Sequence, residues 1–373
     1  MRSFVADGNF KANHLRQKDD TSDVWLTCSE SFMTNVDRYA THLQQAKEIK
    51  MVSILCFLLN EPETFQLKTL TCNRHRAQLN SEAGHNSADC SGVGGHACAR
   101  HGCFAPGSLV NFQKGERQMN MDWSLCEALA TTNMAEILHL LHIYDINCQY
   151  CRHLKERVDA NNLLKIPDGL QIHYAIGQFH IHGHQDDCLY RWATNYIPGA
   201  GVVDGEVLET LWSVLNSVSA ATRTASLAHR TETLDDHMSD NNWKKILNIG
   251  EVTRHGPIVV LIYVSLPVKA IKRRYTRALE NVVEARLAFE RLNDAAPQDA
   301  INVWEATIEE AEAGRHKDAT AMDVMKSRIK TGKTMKAITA DIMREDGLSL
   351  SAVLDSGTST EWLLEGLNIE DEQ

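Results

Sequence analysis

A mixed α/β core followed by a helical region is the fold class the sequence predicts, on three observations. Strand-like and helical stretches alternate through residue 217, the pattern of a sheet covered by helices. From Ala220 onward the periodicity is almost wholly helical, with Leu279, Val283 and Leu287 at helical spacing and Val282 and Phe289 beside them. Between the first strand and the rest of the core lies a Cys/His/Gly-rich stretch, Thr71 to Gly107, which reads as a loop-like, metal-braced insertion.

Ser3 to Lys11 reads as the first strand, ending in Asp7-Gly8-Asn9, and Asp37 to Leu59 as a helix. After the insertion, Ser108 to Gln113 alternates like a strand and Met121 to Ala130 follows helical periodicity. Ile137 to Tyr144 (ILHLLHIY) suits a buried strand, closed by Asp145. Cys151 to Asn161 reads as a helix and Leu170 to Ile176 as a strand. Gln185 to Trp192 and Glu206 to Ser217 are then helices, separated by the Pro198-Gly199 turn. This gives a core over 1–217 with the insertion at about 71–107. A helical, partly coiled-coil region over 218–345 follows, then an acidic, poorly ordered tail over 346–373.

The composition is that of an ordinary globular protein, with 43% hydrophobic and 23% charged residues among 373. The longest apolar run, Pro257 to Val268, is too short to span a bilayer, and the N-terminal residues lack a secretory layout, so no membrane role is expected. A net charge of −11 argues against a generic nucleic-acid binder. The charge is uneven, however: Lys269 to Arg277 is basic, and a metal-dependent nuclease needs acids at its centre.

Two-metal phosphodiester chemistry requires carboxylates from distant parts of the chain, rigidly held around ions about 4 Å apart. Asp7 and Asp145 close two strands, and Glu206 and Glu209 open a helix three residues apart. Taken singly, each is as well explained as a turn or capping residue; the combination carries the reading.

The ten cysteines and 17 histidines cluster. Cys72 with His75 and Cys98 with His101 form two Cys-x2-His pairs, the donor set of a tetrahedral structural zinc, with Cys90, His96 and Cys103 near enough to substitute for one ligand. In a second cluster, His180, His182 and His184 precede Cys188. His184 and Cys188 can share a second zinc, with Cys148 or Cys151 to complete it, or the histidines can line the active site.

In order, the strings DGNF at Asp7, CARHGCFAPGSLV at Cys98, FQKGERQMNMDW at Phe112, YDINCQY at Tyr144 and FHIHGHQDDC…YIPGAGVVDGEVLETLWS from Phe179 resemble the KDZ (Kyakuja–Dileera–Zisupton) DNA transposases of fungal type. The resemblance covers about residues 1–217. It implies a ribonuclease-H-like DDE transposase using two Mg²⁺ or Mn²⁺ ions, with structural Zn²⁺, acting on transposon-end and target DNA in the nucleus. DGNF carries the first acid onto Asp7 and YDINCQ the second onto Asp145. The third falls on Glu206 or Glu209, and Glu209 is preferred because Glu209, Trp212 and Ser213 also look like the glutamate motif of hAT-type transposases. Glu116 and Asp122, in GERQMNMD, match a family motif without an assigned role.

The chain departs from the family at Thr210, where arginine is usual, and it opens at the first catalytic strand without an upstream Cys-rich region. Two rival functions follow from the residues. One is an inactive, truncated or domesticated zinc-stapled DNA- or protein-binding module; the other is a zinc hydrolase built on His180, His182 and His184. Self-association through the helical region is the expected oligomeric contact.

Overall fold

The computed structural model describes residues 1–17, 22–27, 31–46, 88–201, 203–249, 257–318 and 320–326. Its centre is a five-stranded mixed sheet built from β1 (Arg2–Asn9), β4 (Gly92–Cys98), β5 (Val110–Phe112), β6 (His139–Tyr144) and β7 (Gln171–Ala175). The order across the sheet is β5-β4-β1-β6-β7. β4 runs antiparallel to β1 and β5, whereas β6 lies parallel to both β1 and β7. A two-stranded ribbon joins β2 (His14–Leu15) to β3 (Ala88–Cys90).

Alternation along the strands divides the core into two layers. Phe4 and Ala6 of β1 and Leu140 and Tyr144 of β6 pack under α1 (Val36–Gln45), α2 (Gln118–Thr131) and α4 (Leu154–Asp159), which follows the short α3 (Asn147–Tyr150). Val5, Leu141 and Ile143 face the other way. They meet Leu208, Leu211, Trp212 and Leu215 of α7 (Val207–Thr222) and Leu234 and Met238 of α8 (Leu227–Ile249). Two short helices, α5 (Gln178–Ile181) and α6 (Asp186–Trp192), lie between β7 and α7 in the chain. Beyond α8, α9 (Pro257–Asp294) and α10 (Gln298–Gly314) continue the helical region. On α9, Leu279, Val282, Val283, Leu287 and Phe289 are exposed. Among the described residues no helix is long and apolar enough to cross a membrane.

The stretch read as loop from Thr71 to Gly107 is corrected in its second half, since it contains β3 and β4, and β4 lies inside the sheet. GVGGHAC carries a single β-branched residue, Val93, and its three glycines weaken the strand signal. The glycines are there for space. A Cβ on Gly94 would stand 2.1 Å from the Phe112 ring, and one on Gly95 would stand 2.7 Å from Leu109. The acidic tail, the first half of the insertion and the part of the first predicted helix beyond residue 46 lie outside the described residues.

Two histidines lie under the sheet. Ser124 Oγ is 2.7 Å from His96 Nδ1, the two Nε2 atoms of His96 and His142 are 3.0 Å apart, and His142 Nδ1 is 3.2 Å from Asn147 Oδ1. Asn147 Nδ2 already donates to the carbonyls of His142 and Ala175, so its Oδ1 must accept. One set of tautomers satisfies the chain: His142 Nδ1–H donates to Asn147, His96 Nε2–H donates to His142, and Ser124 donates to His96. Both rings are then neutral, and burial holds both below the usual histidine range, His142 at about 4. A depressed histidine withholds a proton that the unfolded chain binds, so its contribution is lost as pH falls from 6.5 toward about 4. Across that window the wild type should lose thermal stability relative to a His142→Gln variant. Parallel pH profiles of the two melting temperatures would contradict the neutral pair.

Candidate active site

Pairing between β1 and β6 ends at Ala6 opposite Tyr144. The next residues are Asp7 and Asp145. Alternation puts Asp7 on the Val5 face and Asp145 on the Ile143 face, which are the same face, toward α7. Asp7 is not the end of its strand, as the sequence reading had it. β1 continues against β4 to Asn9, so Asp7 sits where one neighbour has left and the other still holds the backbone.

Trp212 Nε1 donates to Asp7 Oδ2 at 2.7 Å, which orients the carboxyl and ties it to the helix carrying Glu209. Burial, and then the charge of Asp145, push the Asp7 carboxyl up to about 8, and Glu209 adds to the shift. Asp145 and Glu209, from two other parts of the chain, therefore both act on Asp7 across a cleft. Its lining includes Asp7, Asp145, His180, Glu206 and Glu209.

Glu206 and Glu209 differ. Glu209 lies exposed in the first turn of α7. Glu206 occupies the N-cap position but makes no side-chain capping bond. Instead its Oε2 lies 3.1 Å from His180 Nε2, and its Oε1 is buried without a hydrogen-bond partner. Burial raises its carboxyl, while His180 opposes the shift. Gly205 enables this placement: it adopts φ +82°, and a Cβ there would stand 2.9 Å from Gly177 Cα. His180, Glu206 and Glu209 present ligand atoms within 4.8 Å of one another.

A second potential metal group lies beside the cleft. Cys148 on α3, His184 just before α6 and Cys188 on α6 also present ligand atoms within 4.8 Å of one another, with Cys148 Sγ 3.7 Å from His184 Nδ1. Of the two cysteines that the sequence offered to complete this group, Cys148 joins it and Cys151 does not. The histidine triad required for a zinc hydrolase is not assembled: His180 belongs to one group, His184 to the other, and His182 is exposed. Of the first zinc set, Cys98 ends β4 with its Sγ 3.4 Å from His101 Nδ1, while Cys72 and His75 lie outside the described residues.

Two further residues of the GERQMNMD motif separate in role. Asp122 is fully buried and forms a bidentate pair with Arg157, at 2.6 and 2.9 Å, which ties α2 to α4. Glu116 is also buried, but it approaches the acids of the cleft, and sequence reasoning gave it no part in the site. Its only signal was membership of the motif.

A mixed sheet flanked by helices, with acids gathered where two parallel strands part, defines a class of α/β proteins with an acidic cleft at the strand ends. A sequence model of the Kyakuja-Dileera-Zisupton (KDZ) transposases matches residues 1–242, and the chain belongs to that family. Its membership assigns it a transposase function, with DNA as the partner. No curated protein and no solved structure matches the chain.

Proposed function

We propose that this chain is a DDE-type transposase core of ribonuclease-H-like fold, in which Asp7, Asp145 and Glu209 hold two Mg²⁺ or Mn²⁺ ions. The observation that carries the reading is the convergence of these acids where β1 and β6 part. The sheet order, three antiparallel strands continued by two parallel ones, also fits the ribonuclease-H-like assignment. So does the donor set: an all-oxygen group suits hard cations, and the buried, unpartnered Oε1 of Glu206 leaves a further oxygen at the same cleft.

Two divalent ions would supply activation of the attacking hydroxyl or water and stabilisation of the leaving oxygen. The protein's share is placement. Trp212 fixes the rotamer of Asp7, the sheet backbone fixes Asp7 and Asp145 relative to each other, and His180 holds Glu206 aside. Glu209, exposed and felt electrostatically by Asp7, is then the third acid. DNA cleavage and joining in the nucleus follow from this reading, and the exposed apolar residues of α9 support self-association through the helical region. The test is nicking or joining of labelled terminal-repeat DNA with Mn²⁺. Activity in the wild type and none in Asp145→Ala is expected, whereas DNA binding without cleavage by the wild type would point to a domesticated binding module.

Cys148, His184 and Cys188 are assigned a structural zinc, and Cys98 and His101 belong to a separate zinc set with Cys72 and His75. Cys188→Ser should lower bound zinc by about one ion per chain and reduce thermal stability. Unchanged zinc content by elemental analysis would remove the assignment.

A further inference from the structure

We infer that Glu116 is a fourth acidic group of the divalent-metal centre, held behind Asp7 and Asp145 by Tyr144. The inference rests on the carboxylate centre proposed above and adds a residue to it. Glu116 follows β5 and precedes α2, so neither strand periodicity nor helix periodicity marks it. What gives it a role is where the fold puts its carboxyl.

Tyr144 O–H donates to Glu116 Oε1 at 2.6 Å, and Tyr144 is the residue immediately before Asp145. The other oxygen, Oε2, lies 2.6 Å from the point a Cβ on Gly8 would occupy, and Gly8 is the residue immediately after Asp7. The carboxyl thus touches the backbone neighbour of each aspartate. Gly8 has no positive φ to require glycine; it is needed for room, because any side chain would overlap Glu116 and the Phe112 ring. The DGNF motif therefore supplies an acid and, in the next position, the space for a second acid.

Structural roles account poorly for such an arrangement. A buried carboxyl is costly without a cation, yet among the described residues the side chain that donates to it is the neutral Tyr144 hydroxyl. Asp122 shows the contrast: in the same motif it has Arg157 as a bidentate partner. For Glu116 the charges that act most strongly are those of Asp145 and then Asp7, both of the same sign. A divalent ion between the aspartates is the cation this group lacks.

The test is Mn²⁺ binding to the full chain without DNA, measured by calorimetry, for the wild type, Asp145→Asn and Glu116→Gln. Glutamine keeps the volume and can still accept from Tyr144, so the metal-free melting temperature should be preserved. We expect Asp145→Asn to abolish specific Mn²⁺ binding and Glu116→Gln to weaken it about 10–100-fold. If Asp145→Asn abolishes binding and Glu116→Gln leaves the affinity unchanged, the inference is overturned while the carboxylate centre stands. If the wild type binds no Mn²⁺ that Asp145→Asn removes, the centre itself fails and Glu116 with it. Should Glu116→Gln not fold, Tyr144→Phe loosens the aim of the acid without removing it. A weaker affinity in that variant supports the role and an unchanged one overturns it.

Discussion

Asp7→Asn is expected to make the metal-free protein more stable and to abolish its strand cleavage. The Asp7 carboxyl stands at about 8 in the folded chain against an ordinary 3.8, raised by burial and by Asp145. Between those values the folded chain keeps a proton that the unfolded chain has released, so this group's contribution to stability declines as pH rises from 3.8 through 8. Asparagine removes the charge, and its amide oxygen can still accept from Trp212 Nε1. At pH 8 and without metal, a gain of about 1–2 kcal/mol and a melting temperature higher by about 5 °C should follow. Adding Mn²⁺ should stabilise the wild type and leave the variant unmoved. Cleavage should fall roughly 10³-fold or more, since an ion worth several kcal/mol to the transition state loses a ligand. A variant that is less stable than the wild type in metal-free buffer at pH 8 would show that the acids do not repel one another as described.

The largest loss of stability is expected at a residue of the same motif as Glu116, outside the cleft. Asp122→Ala leaves the Arg157 guanidinium buried, with the Tyr150 carbonyl at 3.0 Å and the Tyr150 ring 5.0 Å below it as its remaining partners. Removing one member of a buried ion pair costs about 3–5 kcal/mol. For a domain of this size that lowers the melting temperature by roughly 10 °C. Replacing both members, Asp122→Leu with Arg157→Met, should recover most of the loss, because no charge is then left unpaired. Thermal unfolding of the two variants separates these outcomes. A single variant as stable as the wild type would mean that Arg157 finds another partner or water.

The two residues show how far the sequence carried the reading and where it stopped. The position of Asp145 was legible because ILHLLHIY is a run of apolar and histidine residues that suits a buried strand, closed by an acidic residue. Parity along that strand then sets the face on which the acid stands. Glu206 and Glu209 were legible as a helix start, but the division of labour between them was not. It depends on His180, which reaches Glu206 from a different helix. β4 was missed for a packing reason: its glycines exist to admit Phe112 and Leu109, and a strand that gives its side-chain space to its neighbours looks like a loop in one dimension. Glu116 and Asp122 were indistinguishable in GERQMNMD. Only the tertiary fold gives one an arginine and the other a place between the neighbours of two aspartates.

The same reasoning applies to the cysteines. Spacing paired His184 with Cys188, which the fold brings together, and it offered Cys148 and Cys151 on equal terms. The short turn of α3 buries Cys148 against that pair. Cys151 lies one turn further on, outside the group of ligand atoms that Cys148, His184 and Cys188 form.

The central claim is that Asp7, Asp145 and Glu209 form one metal centre, and anomalous diffraction from crystals grown with Mn²⁺ tests it most directly. The expected result is two anomalous peaks about 4 Å apart in the cleft lined by Asp7, Asp145 and Glu209, the residues that would hold the ions. Well-ordered crystals with no manganese between Asp7 and Asp145, at a concentration that saturates binding in solution, would contradict it.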